Sequence, residues 1–169
     1  PFVAVKTTPE LACDVDALIA GITPRTKLVV LGTPNNPTGS FLKSEERAEI
    51  EEFCAGRGIA LVSDEVFADF GLREVPDRAQ SLAVDGPGLA FALGGLSKSC
   101  ALPQMKVGWI AISGPDALRE EAITRLEFIA DTYLSVATPI QLALPAILEE
   151  KAALQAPIKA RLARNLEAL

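Results

Sequence analysis

Histidine is absent from the sequence, and this absence excludes several kinds of catalytic site. Ser-His-Asp triads, HExxH zinc sites and histidine-based acid–base catalysis all require an imidazole. A proton carrier must therefore be a lysine, a carboxylate or a tyrosine. Basic residues are also in deficit, with 16 against 22 acidic residues, a formal net charge of -6 and no lysine or arginine cluster. We therefore expect no nucleic-acid or membrane partner and look for a small-molecule ligand instead.

Cysteine is scarce as well, and the chain has no long hydrophobic run. Cys13, Cys54 and Cys100 are too widely separated for a CxxC metal site, and their odd number argues against a disulfide framework. No apolar stretch reaches the roughly 18 residues that cross a bilayer, and the amino terminus lacks the layout of a secretory signal. We expect reduced thiols, no metal site and a cytoplasmic protein.

Short apolar runs alternate with helical periodicity along the chain. The predicted strands lie at 27–31, 59–62, 89–93 and 107–112, and the predicted helices lie at 14–22, 44–56, 116–130 and 138–149. Ser44 is the expected N-cap of the second helix, and an apolar stripe after Pro157 predicts a last helix. This alternation predicts an α/β domain, with a mostly parallel sheet flanked by helices in a three-layer α/β/α arrangement.

Three of the predicted strands end in polar residues that are able to carry chemistry. Asn36 follows the strand at 27–31, Asp64 follows the next strand, and Lys98 follows the strand at 89–93. Open parallel sheets bind ligands beyond the carboxyl ends of their strands. Taken alone, the amide would bond its own turn, the carboxylate would cap the following turn, and the lysine would be solvated. Their order, with about one βαβ unit between successive residues, favours one shared site.

These residues and their neighbours resemble the fold-type I, class I and II aminotransferases, which use pyridoxal 5′-phosphate. The matching segments are Asn36-Pro37-Thr38-Gly39, Ser63-Asp64-Glu65-Val66, Gly95-Leu96-Ser97-Lys98 and Val107-Gly108-Trp109. The resemblance implies that 1–150 is part of a large cofactor-binding domain, and that 151–169 begins the helix leading to a smaller domain. It also implies a longer natural polypeptide, a homodimer, and no activity for this stretch by itself.

The resemblance assigns roles to the three strand-end residues. Lys98 would form the Schiff base with the cofactor aldehyde and move a proton between the substrate α-carbon and the cofactor. Asp64 would pair with the pyridinium nitrogen and keep the ring protonated, so that the ring acts as an electron sink. Asn36 would donate a hydrogen bond to the ring hydroxylate.

The expected cofactor site also departs from the family pattern. Lys106 stands where the family has a phosphate-binding arginine, and a lysine gives less geometric control over phosphate. Phe67 stands where the family commonly has a tyrosine that bonds the ring hydroxyl. Gly95 replaces a common serine, which leaves Ser97 as the only hydroxyl of its tetrapeptide.

The implied function is amino-group transfer between an amino acid and a 2-keto acid. Because the changes at Phe67 and Lys106 alter the ring environment, a C–S or β-lyase on the same scaffold is an alternative. Two further alternatives are a non-catalytic module that senses the cofactor inside a regulator, and an inactive truncated fragment. A winged-helix sequence upstream of Pro1 would favour the regulator.

Overall fold

The protein is described here by a computed structural model that covers residues 3–133 and 135–169. In chain order the elements are α1 (Val15–Gly21), β1 (Leu28–Gly32), α2 (Ser44–Ala55), β2 (Ala60–Asp64), β3 (Ala90–Gly95), α3 (Leu96–Ser99), a 3₁₀ turn (Pro103–Met105), β4 (Gly108–Ser113), α4 (Asp116–Tyr133), α5 (Thr138–Glu149) and α6 (Lys151–Ala168).

The four described strands form one sheet in the order β1-β2-β3-β4. The first three strands are parallel, because a helix or a long connection returns the chain to the same end of the sheet before each next strand begins. The segment between β3 and β4 instead reverses the chain, and β4 pairs antiparallel to β3. The predicted α/β architecture with a mostly parallel sheet is confirmed.

The main core lies between one face of the sheet and the first two helices. The buried members from the strands are Val29, Leu31, Leu61, Ala90 and Ala92. They pack with Leu18 of α1 and with Ile50 and Cys54 of α2. A smaller cluster of Leu96, Cys100 and Val107 is covered by apolar residues of α5. These two clusters pack the sheet against the helices. The loops that follow β1, β2 and β3 are therefore attached to strands with buried side chains.

The start of α2 differs from the prediction by one residue. Lys43, not Ser44, is the N-cap residue, and its backbone N–H donates to the Glu46 carboxylate at 2.8 Å. Ser44 is the first helical residue, and its hydroxyl donates to the Asp77 carbonyl at 3.0 Å. The Ser44 hydroxyl is therefore used in a tertiary contact and is not available to cap the helix. The last helix also begins earlier than the apolar stripe suggested, and Pro157 lies inside α6.

Gly114, immediately after β4, has a conformation that favours glycine, with φ of +114°. A Cβ at this position would lie 2.8 Å from the Gly88 carbonyl carbon and closer still to its oxygen. We expect Gly114→Ala to lower the free energy of unfolding by about 1–3 kcal/mol, measured by chemical denaturation. Gly21→Ala is the matched control, because a Cβ there meets no atom within 4 Å. Equal stability of the two variants would contradict this prediction.

Candidate functional site

The carboxyl ends of β1, β2 and β3 meet at one edge of the sheet. The register pairs Gly32 with Asp64, and Asp64 with Leu93. Parallel pairing therefore places the loop after β1, the segment after β2 and the short helix after β3 side by side. The three strand-end residues chosen from the sequence are carried by these three segments.

A cavity of about 230 Å³ opens at this edge between the first two strands. Its lining residues are Val30, Leu31, Gly32, Pro34, Asn35, Asn36, Asp64 and Phe67. Three predicted site residues, Asn36, Asp64 and Phe67, thus share one wall. The sequence analysis did not select Gly32, Pro34 and Asn35 as site residues. Their position in the same loop as Asn36 could have indicated them.

The Asn36 side chain is exposed and is not used by its own turn. Its neighbour Asn35 holds the loop instead, because the Asn35 amide donates to the Thr38 hydroxyl at 3.1 Å and the Asn35 backbone N–H donates to the Ser40 carbonyl at 2.8 Å. Within 3–133 and 135–169 no hydrogen bond engages the Asn36 side chain. The amide that stabilises the turn is therefore that of Asn35. The Asn36 amide remains available to bind a ligand.

Asp64 combines the capping role with an available oxygen. Its Oδ1 atom accepts the Val66 backbone N–H at 3.2 Å, which fixes the side chain at the end of β2. Its backbone carbonyl accepts the Thr33 N–H at 3.0 Å, which ties β2 to the loop after β1. Among the described contacts Oδ2 has no partner in the protein, and the carboxylate is exposed. One oxygen therefore orients the carboxylate, and the other has no partner among the described residues.

Lys98 lies on α3, and its amine is near Phe67, a residue that lines the cavity. The Lys98 Nζ atom is 5.3 Å from the centroid of the Phe67 ring, within the range of a cation–π contact. The same ring lines the cavity beside Asp64. Lys98 is exposed and does not line the cavity itself. The Phe67 ring therefore lies close to both the Lys98 amine and the cavity.

The residues expected at the phosphate end are not part of the cavity wall. Ser97 is half-buried, and Lys106 is exposed with a left-handed φ of 56° at the end of the 3₁₀ turn. In the part of the chain that the structure describes, neither residue lines the cavity. Gly95 is in close contact with backbone, because a Cβ there would lie 3.1 Å from the Val107 carbonyl oxygen. A side chain at this position would therefore need the neighbouring backbone to shift slightly.

Two of the three cysteines, Cys13 and Cys54, are poorly suited to act as nucleophiles. Burial raises the pKa of the Cys54 thiol, although Arg57 partly opposes this effect. Burial also raises the pKa of Cys13, and the nearby Glu46 and Asp14 carboxylates add to it. Both thiols therefore stay protonated near neutral pH, and a protonated thiol is a poor nucleophile.

Metal ligation and membrane insertion find no support in the described ranges. No group of three or more cysteine, aspartate or glutamate side chains is arranged there to hold a metal ion. None of the helices in those ranges combines the length and apolar character that crossing a bilayer requires.

Known proteins resemble this chain along nearly its whole length. The profile of the family described as "Aminotransferase class I and II" matches residues 1–168. Nicotianamine aminotransferase A of Hordeum vulgare is 32% identical over 80% of this chain and 30% of its own length. The glutamate-pyruvate aminotransferase AlaA of Escherichia coli strain K12 is 31% identical over 80% of this chain and 33% of its own length.

Solved structures give the same result. The N-succinyldiaminopimelate aminotransferase of Mycobacterium tuberculosis superposes with a TM-score of 0.70 at 28% identity, covering 97% of this chain and 41% of that one. The chain thus spans about a third of the length of the curated relatives above. Because the family profile covers nearly every residue, the chain belongs to the class I and II aminotransferase family.

Proposed function

We propose that the protein containing this chain transfers an amino group between an amino acid and a 2-keto acid. In this proposal pyridoxal 5′-phosphate would bind at the cavity, and the Lys98 amine would hold it covalently by condensing with its aldehyde and releasing water. The observation that carries the proposal is the shared wall of Asn36, Asp64 and Phe67, with the Lys98 amine 5.3 Å from the Phe67 ring. Because the chain spans about a third of its relatives, the activity is proposed for the whole protein.

The donor set of this edge fits the proposed cofactor. The Asn36 amide is able to donate to a ring oxygen, and the Asp64 carboxylate is able to pair with a protonated ring nitrogen. The Lys98 amine is able to react with an aldehyde. The cavity of about 230 Å³ is smaller than the roughly 300–1,000 Å³ of complete small-molecule sites. The described residues would therefore form one wall of the cofactor site.

Bound pyridoxal phosphate supplies an electron sink that stabilises negative charge at the substrate α-carbon. The Asp64 carboxylate would hold a proton on the ring nitrogen by charge attraction, and the Asn36 amide would orient the ring by donating to its oxygen. Once the substrate amine has displaced it from the cofactor aldehyde, the free Lys98 amine would take the proton from the substrate α-carbon and return it to the cofactor. Lys106 and Ser97 are the proposed phosphate-binding residues.

The substrates are proposed only as a chemical class. The names of the two curated relatives refer to nicotianamine and to glutamate and pyruvate, so relatives of similar identity differ in what they are named for. A homodimer is part of the proposal. It is supported by large apolar side chains that stay exposed on α4 and α5, with 73% of Phe128, 78% of Tyr133 and 78% of Leu142 accessible.

A β-lyase is the second candidate, because Phe67 offers no hydroxyl to the ring. Product analysis of the purified full-length protein with added cofactor separates the two. With an amino acid and a 2-keto acid, we expect the new keto acid and the aminated acceptor to appear in equal amounts. With an amino acid that carries a β-sulfur leaving group, we expect little pyruvate and ammonia. Stoichiometric release of pyruvate and ammonia without an acceptor would contradict the transfer reaction.

A further inference from the structure

Gln155 is an unusual residue on α6, because it is a buried polar side chain on a largely exposed helix. Only 4% of its surface is accessible. Its Nε2 amide group donates to the Ser99 carbonyl at 2.7 Å and to Asp69 Oδ2 at 3.0 Å. One side chain thus joins α6 to two segments that are far away in the sequence.

Each of these two segments carries a residue of the candidate site. Ser99 directly follows Lys98 in α3, and Asp69 lies shortly after Phe67, whose ring lines the cavity. The Gln155 amide therefore fixes the turn that presents the amine relative to the segment that presents the aromatic ring. These are the two groups separated by 5.3 Å.

The turn that carries Lys98 depends on tertiary contacts for its position. The helix α3 has only 4 residues and no side-chain cap at its start. Inside the turn, the buried Ser99 hydroxyl donates to the Gly95 carbonyl at 2.8 Å. Among the described contacts the Ser99 carbonyl accepts only from Gln155. A buried carbonyl that loses its donor is strongly disfavoured, so this contact constrains the backbone next to Lys98.

The same face of α6 contacts the segment after β2 at two further points. The Lys151 ammonium is 2.9 Å from Asp69 Oδ1, and the Lys159 ammonium is 5.9 Å from the Phe70 ring centroid. Lys151, Gln155 and Lys159 follow each other at a spacing of four residues, which is one stripe of a helix. Of the three, Gln155 is the residue that also reaches the turn of Lys98.

We propose that Gln155 is a positioning residue that holds the Lys98 amine over the Phe67 side of the cavity. This inference rests on the proposed function, in which Lys98 transfers the proton. A displacement of about 1 Å in such a group is enough to slow a reaction strongly without weakening substrate binding. Gln155 acts through the Ser99 backbone and does not touch the reacting atoms.

The test uses the purified full-length protein and the variant Gln155→Met, which keeps the side-chain volume and removes both hydrogen bonds. Lys151→Met is the matched control, because it removes a neighbouring contact to Asp69 and leaves the bond to Ser99. We expect Gln155→Met to increase amide hydrogen exchange in 96–100 at least about tenfold, measured by mass spectrometry without added cofactor. We expect kcat to fall about tenfold with KM unchanged. Lys151→Met should change both quantities less than about twofold.

Unchanged exchange in 96–100, or an equal increase in both variants, would overturn the inference. A higher KM with an unchanged kcat would overturn it as well. If Gln155→Met does not fold, Gln155→Asn keeps an uncharged amide but shortens the side chain, so that it no longer reaches the Ser99 carbonyl, and the same exchange result is expected. The exchange measurement does not depend on turnover. If exchange rises in Gln155→Met but the unmodified protein has no aminotransferase activity, the proposed function is rejected and the structural role of Gln155 is not.

Discussion

Replacing Lys98 with alanine is expected to lower amino-group transfer by at least about 10⁴-fold. The same amine is proposed to hold the cofactor covalently and to move the proton at the substrate α-carbon, so its removal eliminates two contributions at once. The chain contains no histidine that could take over the proton. Turnover by the purified full-length protein with added cofactor is the measurement, together with the absorbance spectrum of the bound cofactor.

Lys6→Ala is the matched control for this experiment. Lys6 is an exposed lysine outside the segments that follow β1, β2 and β3. We expect this variant to keep both the spectrum and the activity of the unmodified protein. If Lys98→Ala retained the cofactor absorbance and the turnover of the control, Lys98 would not be the residue that holds the cofactor.

Asp64→Asn is expected to reduce kcat by about 10²–10³-fold and to weaken cofactor binding. The asparagine Oδ1 atom is still able to accept the Val66 backbone N–H, so the segment after β2 keeps its shape. The substitution therefore removes the negative charge and little else. Without that charge a proton on the ring nitrogen loses its attraction, and the electron sink weakens.

The affinity for pyridoxal phosphate and kcat of Asp64→Asn should be compared with those of Asp85→Asn. Asp85 is an exposed aspartate in the connection between β2 and β3, and its substitution removes the same charge. A loss of activity in Asp64→Asn alone is the expected result. Equal activity of the two variants would mean that the carboxylate at the end of β2 does not act on the cofactor.

The elements of the sheet were predictable because their patterns are local. The run Ile59-Ala60-Leu61-Val62 is apolar and short, which suits a buried parallel strand, and the structure has β2 at Ala60–Asp64. The cap of α2 was assigned to Ser44 incorrectly, because the Asp77 carbonyl that binds its hydroxyl lies 33 residues further along the chain. A capping preference cannot anticipate a partner at that separation.

The placement of the candidate site followed from one rule about parallel sheets. Since the carboxyl ends of β1, β2 and β3 share an edge, Asn36 and Asp64 were expected at one location, and both line the cavity there. The rule could not distinguish Asn35 from Asn36. That difference depends on which amide reaches Thr38 within the folded loop.

The amino-acid sequence by itself determined the succession of the four strands and the longer helices, the mostly parallel sheet and the edge where polar residues gather. Backbone preference and the periodicity of apolar residues act over a few residues, and they are written directly in the chain. Only the tertiary structure decided that the Phe67 ring lies close to both the Lys98 amine and the cavity, and that Gln155 binds the Ser99 carbonyl across a separation of 56 residues. Contacts of this kind depend on how helices pack onto the sheet, and no local pattern specifies them.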